Sequence, residues 1–141
     1  MTARLATVAP DLVEVLGRKS PAQLRAIAVQ ASAWIVEEVG LVDPRLDAAF
    51  AALREMRVGR SPERDALKLL VDELDERAWD VQDEVDAGRA RQEEYLVAFS
   101  LARAASAVWF ALDGDTLQSA LEAVYEAQAA TGDLAGRDLL V

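Results

Sequence analysis

Three short stretches divide this chain before any other property is considered. "KSPAQ" places Ser20 as an N-cap, Pro21 at the first helical position and Gln23 three residues after the cap. In that arrangement a hydroxyl and an amide satisfy each other's backbone N–H groups. "VDPRL" repeats the logic with Asp43 and Pro44, and "RSPER" with Ser61 and Pro62. Glycines at 17, 40, 59, 88, 114 and 132 supply matching stops, because a residue without Cβ enters the left-handed conformation cheaply. Between these marks apolar residues recur at spacings of three and four rather than two. The pattern predicts helices over 10–16, 21–39, 44–57, 62–87, 89–112 and 116–131, and no strand. The expected fold is all-α, a single-domain bundle of about six helices spanning 1–141.

The helix over 89–112 is expected at the centre. From Tyr95 to Leu112 only Ser100, Arg103 and Ser106 are polar, and a helix apolar on every side is usually surrounded by others. Its neighbours would present Leu24, Ile27, Ala31 and Ile35; Leu46, Phe50 and Leu53; Leu67, Leu74, Val81 and Val85; and Leu117, Leu121 and Val124. The tail "AGRDLLV" either docks on the bundle or frays.

Composition removes whole classes of chemistry. Cysteine and histidine are both absent, which excludes disulfides, zinc–thiolate sites, Cys-His and Ser-His-Asp nucleophiles, and the Glu-x-x-His ligands of di-iron bundles. No cofactor or metal is expected. The net charge is −10, and residues 61–141 carry eighteen acidic groups against seven basic ones. Such a face repels phosphate backbones, so nucleic acid is not an expected partner, whereas a basic protein would be steered inward. The start of the chain lacks a signal peptide's apolar run, and Arg103 interrupts the most apolar stretch. The expected location is cytoplasmic, with no membrane partner.

The densest negative stretch, "DELDERAWDVQDEVD", holds eight carboxylates and one tryptophan over 72–86. On a helical wheel Leu67, Val71, Leu74, Ala78, Val81 and Val85 form the core stripe. Trp79 points roughly 130° away from the centre of that stripe, among Asp72, Asp75, Glu76, Asp83 and Asp86. Two readings remain open. A second neighbour covers the indole, or Trp79 is an aromatic anchor inside a charged rim, the make-up of an interface hot spot. On the second reading these six residues form the partner-binding face; a contact between copies of the chain is a further alternative.

Arg103 shares its helix side with Phe99, Ser106 and Phe110. A guanidinium there must be paired, because an isolated buried charge is costly. Glu38 stands on the apolar side of 21–39, so an Arg103–Glu38 structural ion pair is expected, with Glu122 and Glu126 as rival partners.

Two resemblances bear on function. The block "LDERAWDVQDEVDAGRARQEEYLVAFSLARAASAVWFALDGD", with the chain's size and charge, is similar in kind to small acidic helical proteins that bacteria use as inhibitors, such as immunity proteins paired with toxins. That resemblance implies a non-catalytic protein that occupies a basic partner. "VEEVG" with "DELDERAWD" also resembles the two acidic helices of the MazG-like nucleotide pyrophosphohydrolases, which hold Mg²⁺ with carboxylates alone. It implies Glu37, Glu38, Glu73, Glu76 and Asp80 as ligands. The first helix, however, stops at Gly40 and restarts at Pro44, where that family's pattern continues helically. The expected function is therefore a protein-binding module, with the pyrophosphohydrolase and a homo-oligomeric structural bundle as alternatives.

Overall fold

The computed structural model describes residues 4–131; the stop expected at Gly132 and the tail 135–141 lie outside them. Each proline-marked start forms as the spacing predicts. Ser20 Oγ accepts the Gln23 N–H at 3.2 Å while the Gln23 side chain accepts the Ser20 N–H at 2.9 Å. Asp43 and Ser61 cap their helices through the N–H groups of Arg45 and Arg64. The helices are α1 (Pro10–Gly17), α2 (Pro21–Val39), α3 (Pro44–Arg54), α4 (Pro62–Asp86), α5 (Gln92–Ala111) and α6 (Thr116–Thr131). A single 3₁₀ turn at Arg4–Thr7, which no sequence signal predicts, precedes them. No strand occurs among the described residues, and the fold is an all-α bundle.

Two boundaries differ from expectation. The third helix ends at Arg54, not near 57, because Met56 takes a left-handed φ of 58° and the Arg57 N–H closes back on Ala52 O at 2.9 Å. Gly59, no longer needed as the helix stop, makes a tertiary contact instead. Its N–H donates to Leu112 O at 2.7 Å, tying the α3–α4 connection to the end of α5. The fifth helix begins at Gln92 rather than 89, since Gly88, at φ 76°, and the residues after it form the turn out of α4.

The α5 helix packs against α2, α3, α4 and α6. Alanines make this possible: Ala102, Ala104, Ala105, Ala107 and Ala111 are fully buried, and their small side chains admit four neighbours. Leu24, Ile27, Ala31, Ile35, Leu46, Leu53, Leu67, Leu121 and Val124 are buried as expected. Other positions correct the sequence reading. Leu96 and Val97 are exposed, so α5 is enclosed over its later turns and open at its start. Leu74, Val81 and Val85 are half-buried, Leu117 is exposed, and Leu70 is buried instead. Burial therefore thins toward the α4–α5 connection. No helix among the described residues is long and apolar enough to cross a membrane.

An ionic link fixes the α3 start against α4. Arg45 donates to Asp43 at 3.0 Å and to Glu73 at 2.7 Å. The hydrogen bond from the Arg45 side chain is the main force holding the Asp43 carboxyl below its ordinary range, and Glu73 is lowered by the same guanidinium. A depressed carboxylate pKa stabilises the fold above the unfolded value, and that contribution is lost as pH falls through the folded value. Carboxyl-detected NMR titration should show Asp43 with a midpoint below the ordinary carboxylate range, rising toward it in Arg45→Gln. An unchanged midpoint in that variant would mean that backbone N–H groups alone hold the carboxylate.

Candidate functional site

Burial along α4 separates its core stripe from a solvent face. Ala78 is 6% exposed and its neighbour Trp79 is 70% exposed, so no other element among the described residues covers the indole. Glu76, Asp83 and Asp86 are exposed beside it. Asp72 is exposed too, with Lys68 Nζ at 3.0 Å, and Asp86 accepts a hydrogen bond from Gln82 at 2.8 Å. Asp75 departs from the group: its carboxylate turns away from Trp79 to accept from Arg103 Nη2 at 2.6 Å. Five of the six predicted face residues therefore share the solvent side, and the sixth points into a cleft. The end of α4 has no basic residue in its last turn. Its terminal carbonyls and the carboxylates of Asp83 and Asp86 thus carry the same sign, an arrangement that the helix dipole disfavours.

The cleft beside this face, about 570 Å³ in volume, lies among α4, α5, α6 and the 3₁₀ turn. It contains a chain of alternating charges. Arg103 pairs with Asp75 and, through Nη1, with Glu126 Oε2 at 3.0 Å. Glu126 is 1% exposed and also accepts from Arg4 Nη2 at 2.7 Å. Arg4 Nε donates to Glu122 Oε2 at 2.9 Å, and Nη2 contacts the same oxygen. The expected Arg103–Glu38 pair is corrected here: Glu38 is exposed on α2, and the rival partner Glu126 takes the guanidinium with Asp75. Arg103 Nε is buried without a hydrogen-bond partner among the described residues. Burial pulls the Arg4 guanidinium down, but the hydrogen bonds it donates to Glu122 and Glu126 outweigh that and leave the group above its ordinary value.

The five carboxylates of the pyrophosphohydrolase resemblance are not gathered. Glu37, Glu38, Glu76 and Asp80 are exposed, and Glu73 is held by Arg45. Among the described residues no three acidic side chains group so as to hold a metal ion.

Sequence reasoning missed two arginines. Arg4 lay outside every predicted helix. Arg25 is 6% exposed and donates to Ala111 O at 2.7 Å, to Ser119 Oγ at 3.2 Å and to Gly114 O at 3.4 Å. Its signal was present, since Arg25, Ala28, Ser32 and Ile35 form one stripe at helical spacing and the last three are buried. No protein-family model, curated protein or solved structure matches the chain.

Proposed function

We propose that the chain is a non-catalytic protein-binding module that docks a basic partner on the α4 face around Trp79. The observation that carries this reading is the 70% exposure of the indole among uncovered carboxylates. Leaving that much aromatic surface in water has no structural return, because the core stripe is complete without it. The acids of the last turn of α4 likewise oppose the helix dipole. Local rules broken together on one face are the usual mark of a functional surface. A basic protein would relieve both conflicts, gaining steering from the rim and affinity from burying the ring. The similarity in kind to bacterial inhibitor and immunity proteins supports the same role, occupation of a partner's basic surface.

The parts of such an interface separate experimentally. With a partner captured on immobilised protein, Trp79→Ala should speed dissociation and cost at least about 2 kcal/mol, roughly a thirtyfold loss of affinity. Asp72→Lys with Asp83→Lys should instead slow association and flatten its salt dependence. Neither change should move the denaturation midpoint appreciably. Binding kinetics indifferent to both variants would place the interface elsewhere. A dimer that dissociates in Trp79→Ala, read by sedimentation, would assign the face to a second copy of the chain.

A further inference from the structure

The cleft holds one guanidinium in a setting more specific than an ordinary surface ion pair needs. Glu122 and Glu126 stand one turn apart on α6, with side chains only 8% and 1% exposed. Arg4, whose side chain is 44% exposed, lies in front of them. Its Nε and Nη2 address Glu122 while Nη2 also reaches Glu126. The guanidinium carbon sits 4.3 Å from the Tyr125 ring centroid and 5.5 Å from that of Phe110. A planar fork with several N–H groups fits this set, and an ammonium, a point charge, does not reproduce it. The two aromatic faces add cation–π attraction for the same group. Buried carboxylates backed by rings and opening on a cleft are the makings of a cation receptor, and here the receptor's occupant belongs to the chain itself.

We propose that Glu122, Glu126, Tyr125 and Phe110 form a guanidinium-binding cage, filled by Arg4 in the free chain and by an arginine of another polypeptide on binding. Exchange requires little movement of the fold. Leu5 is fully buried and anchors the 3₁₀ turn, so the Arg4 side chain can swing into solvent while its backbone stays. The incoming arginine then makes the contacts that Arg4 gave up. Arg103 remains on Glu126 throughout and keeps that carboxylate partnered. The cage does not depend on Trp79, so it stands or falls apart from the docking face proposed above.

Because Arg4 is tethered, it competes at a high effective concentration, and a small free guanidinium cannot displace it readily. The test therefore removes it. In Arg4→Ala, ethylguanidinium chloride titrated through the millimolar range should give saturable NMR shifts of the Tyr125 ring and raise the melting temperature. The wild-type chain should bind at least about tenfold more weakly, since its cage is occupied. Ethylammonium chloride at equal ionic strength should do neither, and adding Tyr125→Leu to Arg4→Ala should weaken the response. If Arg4→Ala loses its fold, Arg4→Lys, which keeps the stem and charge but not the fork, takes its place in the same titration. Absence of saturable binding, or equal binding of ethylammonium, would overturn the cage; equal binding by wild type would overturn the role of Arg4. N-acetyl-L-argininamide, which mimics a residue within a polypeptide, should bind at least as tightly as free L-arginine. Preference for the free amino acid would overturn the polypeptide source.

Discussion

Replacing Glu126 by alanine should lower folding stability by about 3 kcal/mol, the lower end of the range for removing one partner of a buried ion pair. Among the described residues Glu126 is the one carboxylate that serves two arginines, accepting from Arg4 Nη2 at 2.7 Å and from Arg103 Nη1 at 3.0 Å. Arg4 can return to water, because its side chain is 44% exposed, which sets the lower end of that range. Arg103, at 20%, is less able to rehydrate, and its Nε already lacks a partner among the described residues. Arg103→Ala should cost less, about 1.5–3 kcal/mol for hydrogen bonds to charged groups. In that variant Glu126 keeps Arg4 and the half-exposed Asp75 is free to hydrate. Urea denaturation with an unchanged slope measures both. The informative result is their order: a greater loss in Arg103→Ala than in Glu126→Ala would make Asp75, not Glu126, the principal partner of Arg103.

How far these features could be read in advance depends on whether they are local. Ser20, Asp43 and Ser61 act on N–H groups two or three residues away, so short stretches sufficed to place the starts of α2, α3 and α4. The direction of Trp79, away from the core stripe, was accessible for a related reason. A wheel completes the α4 core stripe without it, but only the packed bundle decides that no other element among the described residues covers the indole. The partner of Arg103 was not accessible in this way. Glu38 stood on an apolar helix face in sequence and Glu122 and Glu126 were its rivals, and the choice among them depends on which turns of α2 and α6 lie opposite Arg103. Asp75 sits only about 40° from Trp79 on the wheel, at the border between the acidic face and the core stripe, and the proximity of α5 draws it inward. The early stop of α3 required a left-handed methionine at position 56, a conformation that no residue preference would suggest. Arg25 shows the same division: its stripe was visible, but its acceptors belong to a helix end more than eighty residues away.

Arg25→Ala should cost about 3 kcal/mol, although no carboxylate among the described residues lies at hydrogen-bonding distance from it. The side chain is buried, and burial pulls its guanidinium below the ordinary value although Asp113 and Asp115 push the other way. It nevertheless stays charged, as arginine does throughout the accessible pH range. That charge is placed where the helix needs it. Ala111 ends α5, so its carbonyl belongs to the last turn, whose acceptors lack intrahelical donors and carry the negative end of the dipole. Arg25 reaches that carbonyl from α2 at 2.7 Å and bonds Gly114 O and Ser119 Oγ with the same group, joining α2, α5 and α6 at one point. In Arg25→Ala the Ser119 hydroxyl still donates to Ala111 O at 3.1 Å, which limits the loss. Ser119→Ala in the Arg25→Ala background should therefore cost more than Ser119→Ala alone, a coupling that a double-mutant cycle resolves. Arg25→Met separates packing from polarity. It fills a similar volume without donors, so it should recover little stability, and amide exchange should quicken in the last turn of α5 and the connection to α6. A methionine variant as stable as wild type, with unchanged exchange there, would show that Arg25 serves only to fill space.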